Sequence, residues 1–329
     1  MTSVPPLRDL AHRCGLAIGT CVSAHPLRDD PDYRHAVLRE FDTITPENGL
    51  KFVTICPSRH HYSFAGADAL VEFAEVNGKT VRGHVLIWHE QLPNWLTDGQ
   101  FDAAELTEVM TGHIAMVVSR YRGKIRVWDV VNESIAHDGS FRDSIWYRKI
   151  GRNYVDLAFH AAREADPDAL LFYNDFGAEA TGRQSDAVYR MLRDLVDRGV
   201  PVDGVGLQMH LDADSAIQAD DIAKNLERLA ALGLRVHITE LDVRIKLEGP
   251  PTAEQLSAQA NAYAEVLRAC LDTDGCDTLV FWGVSDRYSW IPHFFPGYGA
   301  PLIFDQDSCA KPAYHAMVAL LTERSTERP

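Results

Sequence analysis

The run IRVWDVVN, residues 125–132, decides the fold: it is short, nearly continuously apolar, rich in β-branched and aromatic residues, and followed at once by Glu133. A strand buried on both faces reads this way, whereas a half-exposed strand alternates apolar and polar positions. Working outward from it, further strands are expected at Gly15 to Val22, Asp42 to Pro46, Thr80 to Trp88, Ala169 to Asn174, Gly204 to His210, Arg235 to Leu241 and Asp277 to Val284. Helical patterns lie at Tyr33 to Phe41, Ala67 to Asn77, Ala103 to Tyr121, Tyr154 to Ala165, Asp186 to Arg198, Asp220 to Leu232, Ala253 to Asp272 and Ala313 to Glu323. In the third of these, Leu106, Met110, His113, Ile114, Val117 and Val118 recur on one face, which should pack on the sheet. Strands and helices alternate to the end of the chain with no long linker. That predicts an α/β fold, a single (β/α)8 TIM barrel over residues 1–329.

Lys and Arg number 32 against 47 Asp and Glu, a formal net charge of −15. With no local basic patch, the resulting field repels phosphate backbones and anionic lipid surfaces, so neither nucleic acid nor membrane is an expected partner. No run approaches the roughly 18 to 20 apolar residues of a membrane span. The stretch Met1 to Leu10 lacks a basic segment followed by an apolar one, so nothing in it directs export: cytoplasmic if Met1 is native, secreted if a leader has been removed. A monomer is expected. Of the six cysteines, none forms a C-x-x-C motif; Cys270 and Cys276 can close a small loop if the compartment is oxidising, a cue at odds with the missing leader.

In a barrel of this kind the active site lies where the strands end. Those ends carry Glu47 and Asn48, His84 with Trp88 and His89, Asn132 and Glu133, Asn174 and Asp175, Gln208 and His210, Glu240 and Asp242, and Trp282. Glu133 and Glu240 close apolar strands and should emerge at the mouth from opposite sides. Glycoside hydrolysis needs two such carboxyl groups, one protonated to release the leaving sugar and one ionised to attack or to activate water. Either glutamate alone also reads as a salt-bridge partner; two at strand ends among aromatics favour the chemistry. His210 and Asp242 can reach Glu240 and hold it ionised, although His210 also reads as a merely hydrogen-bonded barrel residue. Asn132 offers an amide to the hydroxyl beside the anomeric carbon; it also opens an Asn-Glu-Ser sequon, discounted because a glycan would block the strand end. Trp88, Trp282 and Trp290 supply faces for sugar rings, and Asn48, Lys51, Gln91 and Gln208 supply rim contacts. Trp95 and Trp146 are assigned to the core.

Other chemistries fit less well. Gly204-Val205-Gly206 is followed by Met209 where a dinucleotide fingerprint wants glycine. Gly283 to Arg287 lacks the second glycine of a nucleophile elbow. A zinc-dependent barrel hydrolase using His84, His89 and His210 would want a His-x-His on the first strand or an H-E-x-x-H, and neither occurs.

At FDTITPENGLKF, RGHVLIWHEQLPNWL, WDVVNESI, FYNDF, GLQMHL, ITELDV, FWGVSDRYSW and KPAY the sequence closely resembles glycoside hydrolase family 10, the endo-β-1,4-xylanases, from Gly15 to about Tyr314. The resemblance implies a retaining enzyme that cleaves internal bonds of β-1,4-xylan or xylo-oligosaccharides through a glycosyl-enzyme, with no metal or organic cofactor. It implies Glu133 as acid/base, Glu240 as nucleophile, His210 and Asp242 as the nucleophile's supporting pair, and Asn132 as the contact to the 2-hydroxyl at subsite −1. Glu47, Asn48, Lys51, His84, Trp88 and Gln91 then contact subsite −2 and its surroundings, Gln208, Trp282 and Trp290 form the remaining −1 and −2 walls, and Tyr173 and Asn174 face the leaving group. Cys270 and Cys276 match a disulfide common in secreted members. Glu133 should stay protonated because an ionised Glu240 lies roughly 5 to 5.5 Å away.

Three departures stand out: Phe52 where the family commonly has Trp, Leu207 for a small polar residue, and an aromatic-rich segment from Arg287 to Ala300. That segment motivates the same chemistry on aryl xylosides, cello-oligosaccharides or a plant glycoconjugate; a carbohydrate-binding barrel without turnover is the second alternative, disfavoured because both glutamates are present.

Overall fold

The computed structural model describes residues 5–215 and 219–327; the first four residues of the stretch read for a leader lie outside it. Among the described residues, eight parallel strands close on themselves: β1 (Ala17–Val22), β2 (Thr43–Pro46), β3 (Thr80–Gly83), β4 (Val127–Asn132), β5 (Leu170–Asp175), β6 (Gly204–Leu207), β7 (Arg235–Lys246) and β8 (Cys276–Phe281). Each pairs with the next, and β8 returns to β1 with Ala17 opposite Thr278. Closure leaves no free edge, and the strands are buried as their apolar runs require.

The eight crossover helices lie close to their expected ranges, and two match to the residue, Tyr154–Ala165 and Ala253–Asp272. Local signals set their starts. Asp102 and Glu105 form a reciprocal capping box, as do Thr252 and Gln255, each satisfying backbone donors that the first turn leaves orphaned. The face of Ala103–Arg120 carrying Leu106, Met110, His113, Ile114, Val117 and Val118 is buried.

Three differences from the expected strand ends shape the mouth. β3 stops at Gly83, and the chain rejoins β4 where Ile87 N donates to the Val130 carbonyl at 3.0 Å. β6 stops at Leu207; Met209 takes a left-handed backbone, φ +64°, and residues His210–Asp212 then pair again with β7. This interruption turns His210 toward Asp242, its register partner. β7 runs on to Lys246 instead of ending at Leu241, flanked there by His210–Asp212 and antiparallel Tyr298–Gly299. Glu240 therefore sits mid-strand rather than at a strand end.

Candidate active site

Glu133 directly follows β4. Its backbone is left-handed, φ +56°; its N–H donates to the Asn174 carbonyl at 2.8 Å, and its carbonyl accepts from Arg142 Nε at 2.9 Å. Oε1 of its carboxyl accepts from Gln208 Nε2 at 3.0 Å and from Asn132 Nδ2 at 3.1 Å. Oε2 lies 3.8 Å from Nδ1 of His89, which burial pushes down to about 4 and so keeps neutral at ordinary pH. Burial first, and the charge of Glu240 second among the raising influences, push the Glu133 carboxyl above its usual range, against the bond from Gln208 and the nearby Trp88 indole. The neighbouring charge alone was expected to do this; removal from water does more of it.

Glu240 is set up differently. Oε1 accepts from Asn174 Nδ2 at 2.7 Å and lies 3.8 Å from His84 Nδ1, while Oε2 lies 3.3 Å from His210 Nε2. Burial alone would raise this carboxyl, but His84 and His210 outweigh it and hold the group below its usual value. His210 Nδ1 sits 3.0 Å from Asp242 Oδ1, and Asp242 Oδ2 accepts from Trp290 Nε1 at 2.7 Å. Burial opposes a charge on His210, yet Asp242 and Glu240 lift it to about 10, so it is an imidazolium at neutral pH.

Amides link the two carboxylates. Asn174 Nδ2 donates both to Glu240 and, at 2.9 Å, to Asn132 Oδ1, and Asn132 Nδ2 donates to Glu133. Thr239 Oγ1 donates to Asn174 Oδ1 at 2.7 Å, fixing which way that amide faces. A β-carbon at Gly206 would collide with Asn174 Oδ1 and Thr239 Cγ2, so only glycine leaves the amide its place.

Around this pair, Trp282 stands edge-on to His84 at 5.1 Å and to His210 at 6.3 Å between ring centroids, and Trp290 packs on His210 at 4.9 Å. Lys51 Nζ donates to Asn48 Oδ1 at 2.9 Å and lies 5.2 Å over the Trp88 ring. Glu47 accepts from Ser23 Oγ, and Gln91 is exposed with a left-handed backbone. Trp146, given no role, donates from Nε1 to the Trp88 carbonyl at 2.8 Å and so holds that residue from beneath. Phe52 is buried and stacks on His113 at 3.6 Å, so its departure from the family's Trp alters packing and not the cleft wall. Cys270 and Cys276 are disulfide-bonded, with Cα atoms 5.3 Å apart.

Two expected contacts are corrected. Tyr173 does not face a leaving group: it is fully buried, with its hydroxyl accepting from Ser134 N at 3.1 Å and donating to Asp175. Asn174 is also fully buried, committed beneath the carboxylate pair to Glu240 and Asn132. Alternation along β5 explains why adjacent residues could not share one task, since successive side chains leave a strand on opposite faces.

Sequence reasoning missed the buried ions below the site. Arg82 donates through Nε and Nη2 to Asp129, whose Oδ2 lies 3.0 Å from His84 Nδ1. The visible signal was a charged residue inside each of two apolar strands, which must be paired if buried. Arg142, beside Glu133, was likewise passed over, and His89 was weighed only as a zinc ligand. Among the described residues no group of three or more His, Cys, Asp or Glu side chains is arranged to hold a metal ion.

Comparison with known proteins agrees with this geometry. The model of glycosyl hydrolase family 10 matches residues 6–320. Endo-1,4-beta-xylanase B of Thermotoga neapolitana is 43% identical over 325 residues, covering 98% of this chain and 93% of its own. An endo-1,4-beta-xylanase of Agaricus bisporus is 39% identical over 314 residues, 95% of this chain and 93% of the relative. Among solved structures, native xylanase 10B from Thermotoga maritima superposes with a TM-score of 0.95 at 43% identity, covering 98% of this chain and 100% of that one. Xylanase 10B from Thermotoga petrophila RKU-1 in complex with xylobiose does so with a TM-score of 0.95 at 43% identity and 99% coverage of both. A barrel carrying at its mouth two glutamates pushed in opposite directions, matched along nearly its whole length, places this chain in glycosyl hydrolase family 10.

Proposed function

We propose that this protein is a retaining endo-β-1,4-xylanase acting on xylan and xylo-oligosaccharides. The observation that carries the reading is the opposed setting of the two glutamates, Glu240 flanked by His84 and His210 and Glu133 flanked by amides. Ionised Glu240 attacks the anomeric carbon, forming an ester to the sugar, while Glu133 gives its proton to the departing glycosidic oxygen. The ester removes Glu240's charge, which lowers the Glu133 carboxyl. Glu133 is then a base: it takes a proton from water as the water attacks the same carbon, releases the sugar with its original configuration and restores both groups. His210, kept charged by Asp242, holds the nucleophile ionised and oriented. Asn132 exchanges its bond to Glu133 for the sugar's 2-hydroxyl. Glu47, Asn48, Lys51, Trp88 and Gln91 bind the glycone with Gln208, Trp282 and Trp290.

A time course on xylan tests this. Early release of mixed xylo-oligosaccharides with a steep fall in viscosity supports internal cleavage; turnover confined to small aryl glycosides moves the substrate to the aromatic 287–300 segment's alternative. The Cys270–Cys276 bridge supports an oxidising compartment, and we take the monomer as the working unit.

A further inference from the structure

Glu133 keeps a left-handed backbone, φ +56°, which a non-glycine residue holds only where its surroundings impose it. Two of the restraints grip Glu133 itself, through Asn174 and Arg142. The third grips the next residue: Ser134 N and Oγ both donate to the Tyr173 hydroxyl, at 3.1 and 3.0 Å. That hydroxyl donates in turn to Asp175, whose Oδ1 is fixed by Phe176 N at 2.9 Å. Tyr173 and Asp175 are fully buried, so neither meets a substrate.

They also share one face of β5, two residues apart, while Asn174 between them leaves on the other face and bonds Glu240. One strand thus serves both carboxylates by separate side chains. We propose that Tyr173 and Asp175 are a positioning pair for the acid/base: by fixing Ser134 they hold the turn that aims Glu133 at the glycosidic oxygen, and they leave Glu240 alone. This rests on the reading of Glu133 as acid/base given above.

The pair matters where the leaving group needs a proton. Tyr173→Phe, which removes only the hydroxyl, should lower kcat/KM on xylan by about tenfold, a fraction of what general acid catalysis supplies. On 2,4-dinitrophenyl β-xylobioside, whose leaving group departs unprotonated, kcat/KM should stay within about twofold, because that ratio reports formation of the glycosyl-enzyme. Asp175→Asn, which keeps the shape but weakens the tie to the tyrosine, should show the same split at smaller amplitude and decides the matter if Tyr173→Phe does not fold. Equal losses on both substrates, or an unchanged rate on xylan, overturn the pair. Glu133→Ala run alongside separates the two levels. If it too loses both substrates equally, the acid/base reading has failed; if it splits them and the Tyr173 and Asp175 variants do not, only the positioning pair has.

Discussion

Glu133 and Glu240 are almost equally withdrawn from water, 8% and 4% exposed, yet they are pushed in opposite directions. Burial therefore cannot distinguish them; neighbours do. Glu240 has imidazoles at 3.3 and 3.8 Å, one of them an imidazolium pinned by Asp242, and it stays ionised. Glu133 has two amides at hydrogen-bond distance, and its nearby histidine is neutral, so desolvation prevails. In the proposed mechanism, a few atoms of shell divide one residue type into an acid and a nucleophile.

Removing one carboxylate at a time should have the largest effect. Glu240→Ala should lower kcat/KM on xylan and on dinitrophenyl xylobioside alike, by at least about 10⁴-fold, since no other group takes the covalent step; preserved aryl turnover would reject Glu240 as nucleophile. Glu133→Ala should cost about 10² to 10⁴ on xylan and far less on the aryl substrate.

The shells can also be altered while both carboxylates remain. The proposed mechanism requires Glu240 without its proton and Glu133 with it. The rate should therefore rise through a limb below the ordinary carboxylate range and fall through one above it. His210→Asn removes the cation beside Glu240, and the acid limb should move up by about one pH unit, with His84, Asp129 and Asp242 still in place. A limb that does not move would show that His210 does not set the nucleophile's charge.

The smallest effect lies away from the pair. Burial holds His113 at about 3, and His89 and His237 at about 4, so all three are neutral in the fold. Unfolded, each takes a proton near 6.5, so their contribution to stability is whole above about that pH and is lost as pH falls toward 4. Neither ring nitrogen of His113 has a hydrogen-bond partner among the described residues. His113→Leu should shrink the fall in Tm between pH 7 and 4.5 by about 2–4 °C; an unaltered fall would place the proton uptake elsewhere.

The strands were legible because burial on both faces writes itself as apolar runs, and the pair of glutamates because each follows directly on a stretch of such a run. What escaped notice has physical causes. Helices of four to seven residues, such as Leu7–Arg13, Asn94–Thr97 and Ile291–Phe294, are too short to show a period. The extension of β7 past Leu241 changes from a continuous run to alternation, with Val243 and Ile245 buried and Lys246 exposed, so the apolar signal thins where the strand continues. Tyr173 and Asn174 were assigned together from a motif, although the pleat separates neighbours. The Arg82–Asp129 pair under His84 needed three dimensions, since its members stand 47 residues apart.

Whether Glu240 or Glu133 carries the sugar is read by trapping the intermediate. A 2-deoxy-2-fluoro xylobioside with a dinitrophenyl leaving group slows release of the glycosyl-enzyme, and peptide mass spectrometry then locates the ester. One added disaccharide is expected on the peptide bearing Glu240. A label on Glu133, or inactivation with no covalent sugar, would reject Glu240 as the nucleophile.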